Sequence, residues 1–137
     1  MTTTDKVILF LGRTFVGRTH DYKMLKSEFA TDEDWFTALS VLVDLGYLGI
    51  QSDYLGEQIH VPHKKPRKSK KNPETSLTEQ QKSENQALSR IRIFVENAIG
   101  GMKRYNILVH RFRNHRDNFD DDVIAVSAAL WNFSLAY

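Results

Sequence analysis

Between residues 77 and 105 the sequence holds one hydrophobic period longer than anywhere else, with Leu88, Ile91, Val95, Ile99 and Met102 recurring three or four positions apart. That spacing predicts a long amphipathic helix, opened by a capping box in which Thr78 is followed three residues later by Gln81. A helix of this length must lay its apolar stripe on other elements.

Those elements have different periods. Residues 6–11 are β-branched and aromatic up to Gly12, and residues 14–16 resume before Gly17, which predicts two strands in a hairpin. Residues 20–30 place Tyr22, Leu25 and Phe29 at helical spacing. Thr31-Asp32-Glu33-Asp34 reads as a cap with an acidic first turn, with a short helix over residues 35–39 behind it. Residues 41–44 form an apolar strand ending on Asp44, before a loop marked by Gly46 and Gly49. Residues 59–61 predict a further strand stopped by Pro62. A last helix begins at Asp120, Asp121 and Asp122, whose charges suit a helix N-terminus, and carries Val123, Ile124, Val126, Leu130, Trp131 and Leu135.

A chain of 137 residues is the size of one domain, and 41% apolar residues suffice for one core. The absence of cysteine excludes disulfide frameworks, thiolate zinc sites and cysteine nucleophiles. The five histidines, His20, His60, His63, His110 and His115, lack metal-ligand spacing. Charge is uneven: Lys64, Lys65, Arg67, Lys68, Lys70 and Lys71 fall in one stretch without an acid. The remaining 13 basic and 17 acidic residues leave −4, against +2 for the whole chain. A dense basic segment on a mildly acidic body predicts a polyanionic partner, and Pro66 and Pro73 among Ser and Lys predict a flexible basic loop over residues 63–76. The apolar run at residues 7–11 is far short of a membrane span, and residues 1–5 lack a secretory basic region. The expectation is a soluble, cytoplasmic protein, nucleoid-associated if bacterial, with no membrane partner.

On the wheel of the long helix, with Arg92 at zero, Glu96 falls at about 40°, Lys103 at about 20°, Ser89 at about 60° and Asn85 at about 20°. This polar row lies beside the apolar stripe, so a carboxylate in it is expected at the margin of the core. An ordinary solvated face with an Arg92–Glu96 pair fits the same spacing. Asp44, at the end of an apolar strand, either caps the Leu45-Gly46 turn or pairs with a cation or metal. Gly100-Gly101 cost the helix about 2 kcal/mol relative to alanines, which implies a close backbone approach or a kink.

Several spaced motifs carry a resemblance. Asp44-Leu-Gly-Tyr-Leu-Gly49, Ile59-His-Val-Pro-His-Lys-Lys65, Leu77-Thr-Glu-Gln-Gln-Lys82 with Asn85, and Ser89-Arg-Ile-Arg-Ile-Phe-Val-Glu96 with Gly100 and Lys103 resemble the C-terminal catalytic half of DDE transposases. The nearest branch is the insertion-sequence group that shares its endonuclease domain with Harbinger-type transposases. Gly17-Arg-Thr-His-Asp21 with Leu25 also resembles that group. The resemblance implies an α/β, ribonuclease-H-like fold with long C-terminal helices, in which two Asp and one Glu hold two divalent metals for phosphodiester cleavage and strand transfer. Carried over, Asp44 matches the second acid and Glu96 the third, both as catalytic metal ligands. Arg92 and Lys103 match supporting cations, while Ser89 stands where the family signature has Tyr. The implied cofactor is Mg²⁺ or Mn²⁺, since oxygen ligands suit hard cations. The implied partner is DNA, transposon ends and target, tracked along its backbone by Lys64, Lys65, Arg67, Lys68, Lys70 and Lys71.

In that family the first acid lies on a central strand upstream of the hairpin, and neither Asp5 nor Asp21 matches it. Residues 1–137 are therefore expected to form a single partial catalytic domain, truncated at its N-terminus and inactive alone: a truncated copy, or the downstream product of a split reading frame. Exposed edges would invite an N-terminal transposase fragment or a second copy. The alternatives from other classes are a non-catalytic nucleic-acid-binding module and an unstable gene remnant.

Overall fold

The computed structural model describes residues 1–68, 75–111, 113–114 and 116–137. Lys70, Lys71 and His115 lie outside the described residues. The architecture mixes helices with a small sheet: α1 (Asp21–Glu28), β1 (Val41–Leu42), α2 (Ile50–Asp53), β2 (Ile59–His60), α3 (Glu79–Met102) and α4 (Phe119–Ala136), with 3-10 turns at Leu45–Tyr47 and Asn106–Leu108. Contacts group the chain into two units, residues 1–15 with 90–137 and residues 16–89, and the boundary falls within α3.

In the unit of residues 16–89, β1 and β2 pair in parallel, Val41 opposite Ile59 and Leu42 opposite His60. A parallel pair requires a crossover, supplied by the 3-10 turn and α2. The core is aromatic: Phe36 and Ile50 are each 1% exposed, and Phe29, Tyr54 and Ile59 are buried with them. Phe36 stands 5.7 Å from Phe29 and 5.2 Å from Tyr54 between ring centroids, tilted rather than stacked, and the Tyr54 hydroxyl donates to the Phe29 carbonyl at 2.6 Å. The short helix expected over residues 35–39 is a series of turns instead. Local bonds compete there with helix formation: the Trp35 indole donates to the Ala30 carbonyl, and the Thr37 hydroxyl donates to Asp34. The capping box of α3 forms as read, with Gln81 N–H donating to Thr78 Oγ1 at 3.2 Å and Thr78 N–H to Gln81 Oε1 at 3.1 Å.

In the other unit the hairpin expected over residues 6–16 does not form; one isolated bridge joins Thr2 to Ile8. Lys6 has φ of 67°, which breaks an extended run. The segment's polar main-chain groups are taken by α4. Asn132 accepts from Ile8 N–H and donates to Ile8 C=O, both at 2.9 Å, and the Trp131 indole donates to the Lys6 carbonyl at 2.9 Å. Thr14 donates its N–H to Asp121 Oδ1 at 2.7 Å and its hydroxyl to Asp120 Oδ2 at 2.6 Å.

The core of this unit is Ala98, Met102, Ala128 and Trp131, with Ile8, Leu108 and Ile124 packed against it. The face of α3 that packs is thus the small-residue side. Of the expected stripe, Met102 is buried and Leu88 half-buried, while Ile91, Val95 and Ile99 are exposed. The reason is the width of Trp131: a Cβ added to Gly101 would fall within its ring, whereas one added to Gly100 meets nothing. The close approach read from Gly100-Gly101 therefore belongs to Gly101, and α3 continues through both. Val126, Leu130 and Phe133 on α4, with Tyr137 just past its end, are exposed at a spacing of four, three and four, on the side away from Trp131.

Two predictions follow from these contacts. Gly100→Ala raises stability by up to about 1 kcal/mol through helix propensity, while Gly101→Ala lowers it by about 1–3 kcal/mol through overpacking against Trp131, both read from urea unfolding. The Thr14 hydroxyl holds the Asp120 carboxyl below its ordinary value. A depressed carboxylate stabilises the fold above the ordinary carboxylate range, and that contribution is lost as pH falls through the depressed value. The melting-temperature gap between wild type and Thr14→Val is therefore widest at neutral pH and narrows toward pH of about 3; a gap independent of pH would sink this account.

Candidate functional site

Asp44 leaves β1 and caps the next turn. Its Oδ1 accepts from Gly46 N–H at 2.8 Å, so the capping role read from the sequence is real. Gly46 also lies close to two acids: a Cβ there would lie 2.9 Å from Asp44 Oδ1 and 3.3 Å from Asp21 Oδ2. Two carboxylates thus converge over one glycine. Burial first, then the charges of Asp21 and Asp44, push the Tyr47 hydroxyl above its ordinary value.

Asp21 is carried there by α1. His20 caps that helix, its ring accepting from Tyr22 N–H. On the next turn, the Tyr22 hydroxyl donates to Asp53 Oδ2 at 2.6 Å and Lys26 pairs with the same oxygen at 3.0 Å, tying α1 to α2. The Tyr22 hydrogen bond first, and Lys26 second, hold the Asp53 carboxyl below its ordinary value. Sequence position assigned Asp21 no part in the site. The signal available was its place in the Gly17-Arg-Thr-His-Asp21 segment, which gives no hint of which later acid it meets.

The basic segment starts from an anchored residue. Asn85 Oδ1 accepts from His63 N–H at 2.8 Å, and its amide donates to the His63 carbonyl at 3.0 Å. The His63 ring lies 2.5 Å from Glu84 Oε2, and Gln80 donates to Glu84 Oε1 at 2.9 Å. Those two neighbours, Gln80 foremost, hold the Glu84 carboxyl below its ordinary value. Lys64, Lys65, Arg67 and Lys68 are exposed in irregular backbone. Thr75, itself buried, donates its hydroxyl to the Pro66 carbonyl at 3.0 Å.

Arg92, Glu96 and Lys103 belong to the other unit, the first two on α3 and Lys103 just past its end, where its N–H still donates to the Ile99 carbonyl. All three side chains are exposed. Glu96 is therefore not at the margin of the core as the wheel implied, because Ala98, Gly101 and Met102 form the packed side. Among the described residues Arg92 and Glu96 make no ion pair. Arg116 pairs with Asp122 at 2.9 Å. No group of three or more His, Cys, Asp or Glu among the described residues forms a metal cage, and no helix among them is long and apolar enough to cross a membrane.

The chain is similar in sequence to known proteins. The chain is 32% identical over 122 residues to a probable transposase for insertion sequence element IS702 from Microchaete diplosiphon, an alignment covering 88% of this chain and 39% of that relative. It thus spans well under half of the relative's length. No solved structure matches it. The sequence profile of the DDE superfamily endonucleases matches residues 1–132, and the chain belongs to that family.

Proposed function

We propose that residues 1–137 supply the second and third acids, Asp44 and Glu96, of a divalent-metal-dependent endonuclease that cleaves transposon-end DNA and joins it to target DNA. The observation that carries this reading is the position of Asp44 at the carboxyl end of a parallel strand, where α/β sheets place their ligands. On the same reading, the β1–β2 pair is part of a larger ribonuclease-H-like sheet, since two strands do not make an independent sheet.

The donor set fits the metal the family uses. Both acids offer carboxylate oxygen, and the Gly46 N–H engages only Oδ1 of Asp44, leaving Oδ2 to a hard cation such as Mg²⁺ or Mn²⁺. When bound, such ions activate the attacking oxygen and neutralise the leaving one. Arg92 and Lys103 hold phosphate oxygens as fixed cations. Lys64, Lys65, Arg67 and Lys68, with Lys70 and Lys71, grip the DNA backbone without reading sequence. The first carboxylate comes from outside residues 1–137, on a transposase segment in cis or in trans. The exposed stripe of Val126, Leu130 and Phe133 on α4, with Tyr137 just past its end, gives such a polypeptide apolar surface to cover. With DNA as substrate, the place of work is the cytoplasm, on the nucleoid if the source is bacterial.

The test is nicking and strand transfer of transposon-end DNA in Mn²⁺, with and without a segment carrying the first Asp. Activity appears only with the segment and is abolished by chelation. Asp44→Asn and Glu96→Gln each lower the rate by about 100-fold or more. Asp44→Asn keeps an oxygen for Gly46 N–H and so keeps stability, whereas Asp44→Ala also loses about 1 kcal/mol of capping. Cleavage undiminished in Asp44→Asn and Glu96→Gln would overturn the assignment. Salt-dependent DNA binding without cleavage under any condition would favour the binding module.

A further inference from the structure

Lys64 and Lys65 lie between two tied residues. On one side, His63 has both its main-chain groups bonded by the side-chain amide of Asn85, at 2.8 and 3.0 Å, and its ring is held by Glu84. On the other, the carbonyl of Pro66 accepts from the hydroxyl of buried Thr75 at 3.0 Å. Both lysines are exposed, and among the described residues neither is in an ion pair. The backbone is held on either side of them, while among the described residues their ammonium groups have no ion-pair partner. That arrangement suits phosphate contacts: the ordering cost of the backbone is met on folding rather than on binding.

We propose that Asn85 and Thr75 are positioning residues that present Lys64 and Lys65 as a preorganised pair of contacts to adjacent phosphates of a nucleic-acid backbone. The inference rests on the reading of the basic segment as the DNA grip, and adds which of its cations are held ready and by what. Neither Asn85 nor Thr75 touches the nucleic acid. Their effect is on the freedom of the two lysines, not on charge.

Charge and freedom separate in a salt titration. Each phosphate contact contributes about 0.9 to the slope of log affinity against log salt. Releasing the backbone leaves the charges able to bind and weakens affinity without changing the number of counterions displaced. The experiment measures binding of the full chain to a short random-sequence duplex by fluorescence anisotropy, from about 50 to 200 mM salt. Lys64→Ala with Lys65→Ala lowers the slope by about 2. Asn85→Ala and Thr75→Val each weaken binding about tenfold at fixed salt with the slope unchanged, and Thr75→Ser, which keeps the hydroxyl, binds as wild type. Where Asn85→Ala does not fold by circular dichroism, the Thr75 pair decides.

If the double lysine variant changes neither affinity nor slope, the DNA-grip reading falls and this inference with it. If it lowers the slope but Asn85→Ala and Thr75→Val bind as wild type, the grip stands and the positioning role is overturned. A slope reduced in Asn85→Ala or Thr75→Val as much as in the lysine variant would also overturn it, because the two residues would then govern how many phosphates are met.

Discussion

Residues 6–16 and 61–68 belong to neither strand of the small sheet, and their amide and carbonyl groups must still find partners. Side chains on helices provide them. Asn132 closes two bonds on Ile8, Asp121 takes the N–H of Thr14, the Trp131 indole reaches Lys6, and Asn85 closes two bonds on His63. An asparagine amide offers a donor and an acceptor together, so one residue serves an extended main chain much as a neighbouring strand would. Removing such a residue leaves two main-chain groups without partners at once, and these few positions carry more of the fold than their number implies.

The same dependence explains the unusual packing of α3 on α4. Trp131 is held over α3 by its bond to Lys6, and a ring of that width admits only small residues opposite, hence Ala98 and Gly101. The larger residues Ile91, Val95 and Ile99 are displaced to the exposed side. Close approach is gained at the cost of apolar surface left in water on both helices. A helix that is apolar round most of its circumference, as α4 is beyond its first turn, is ordinarily covered round most of it.

Much of this was legible from local chemistry. The capping box at Thr78 and Gln81, the existence of α1, α3 and α4 close to the expected spans of 20–30, 77–105 and 120 onward, and two strands within the expected 41–44 and 59–61 follow from patterns that depend on a few adjacent residues. The failures share a cause. The hairpin over residues 6–16 and the helix over residues 35–39 have suitable propensities, but their hydrogen bonds are taken by Asn132 and Asp121 in the first case and by Trp35 and Thr37 in the second. The apolar stripe of α3 has the right spacing but only its edge packs, Met102 buried and Leu88 half-buried with Ile91, Val95 and Ile99 exposed, since periodicity ranks residues by hydrophobicity and cannot register that a tryptophan elsewhere needs a glycine opposite.

For the candidate site, burial cost draws attention only to Asp44, at the end of an apolar strand; Glu96 is singled out by the resemblance of spaced motifs, since its helix face alone reads as an ordinary solvated one. Sequence leaves Asp44 divided between capping a turn and serving chemistry; the structure shows the cap, and the cap is compatible with the proposed role because it engages Oδ1 alone. A carboxylate whose Oδ1 accepts from Gly46 N–H has lost much of its rotational freedom, so the bond that caps the turn also fixes where Oδ2 points. Both acids lie close over the same glycine, and a methyl group there would require their carboxylates to shift. On the proposed reading, the bond that caps the turn would also orient the acid, and the convergence of Asp21 depends on how α1 is tied to α2 through Asp53, a long-range condition that no spacing along the chain expresses.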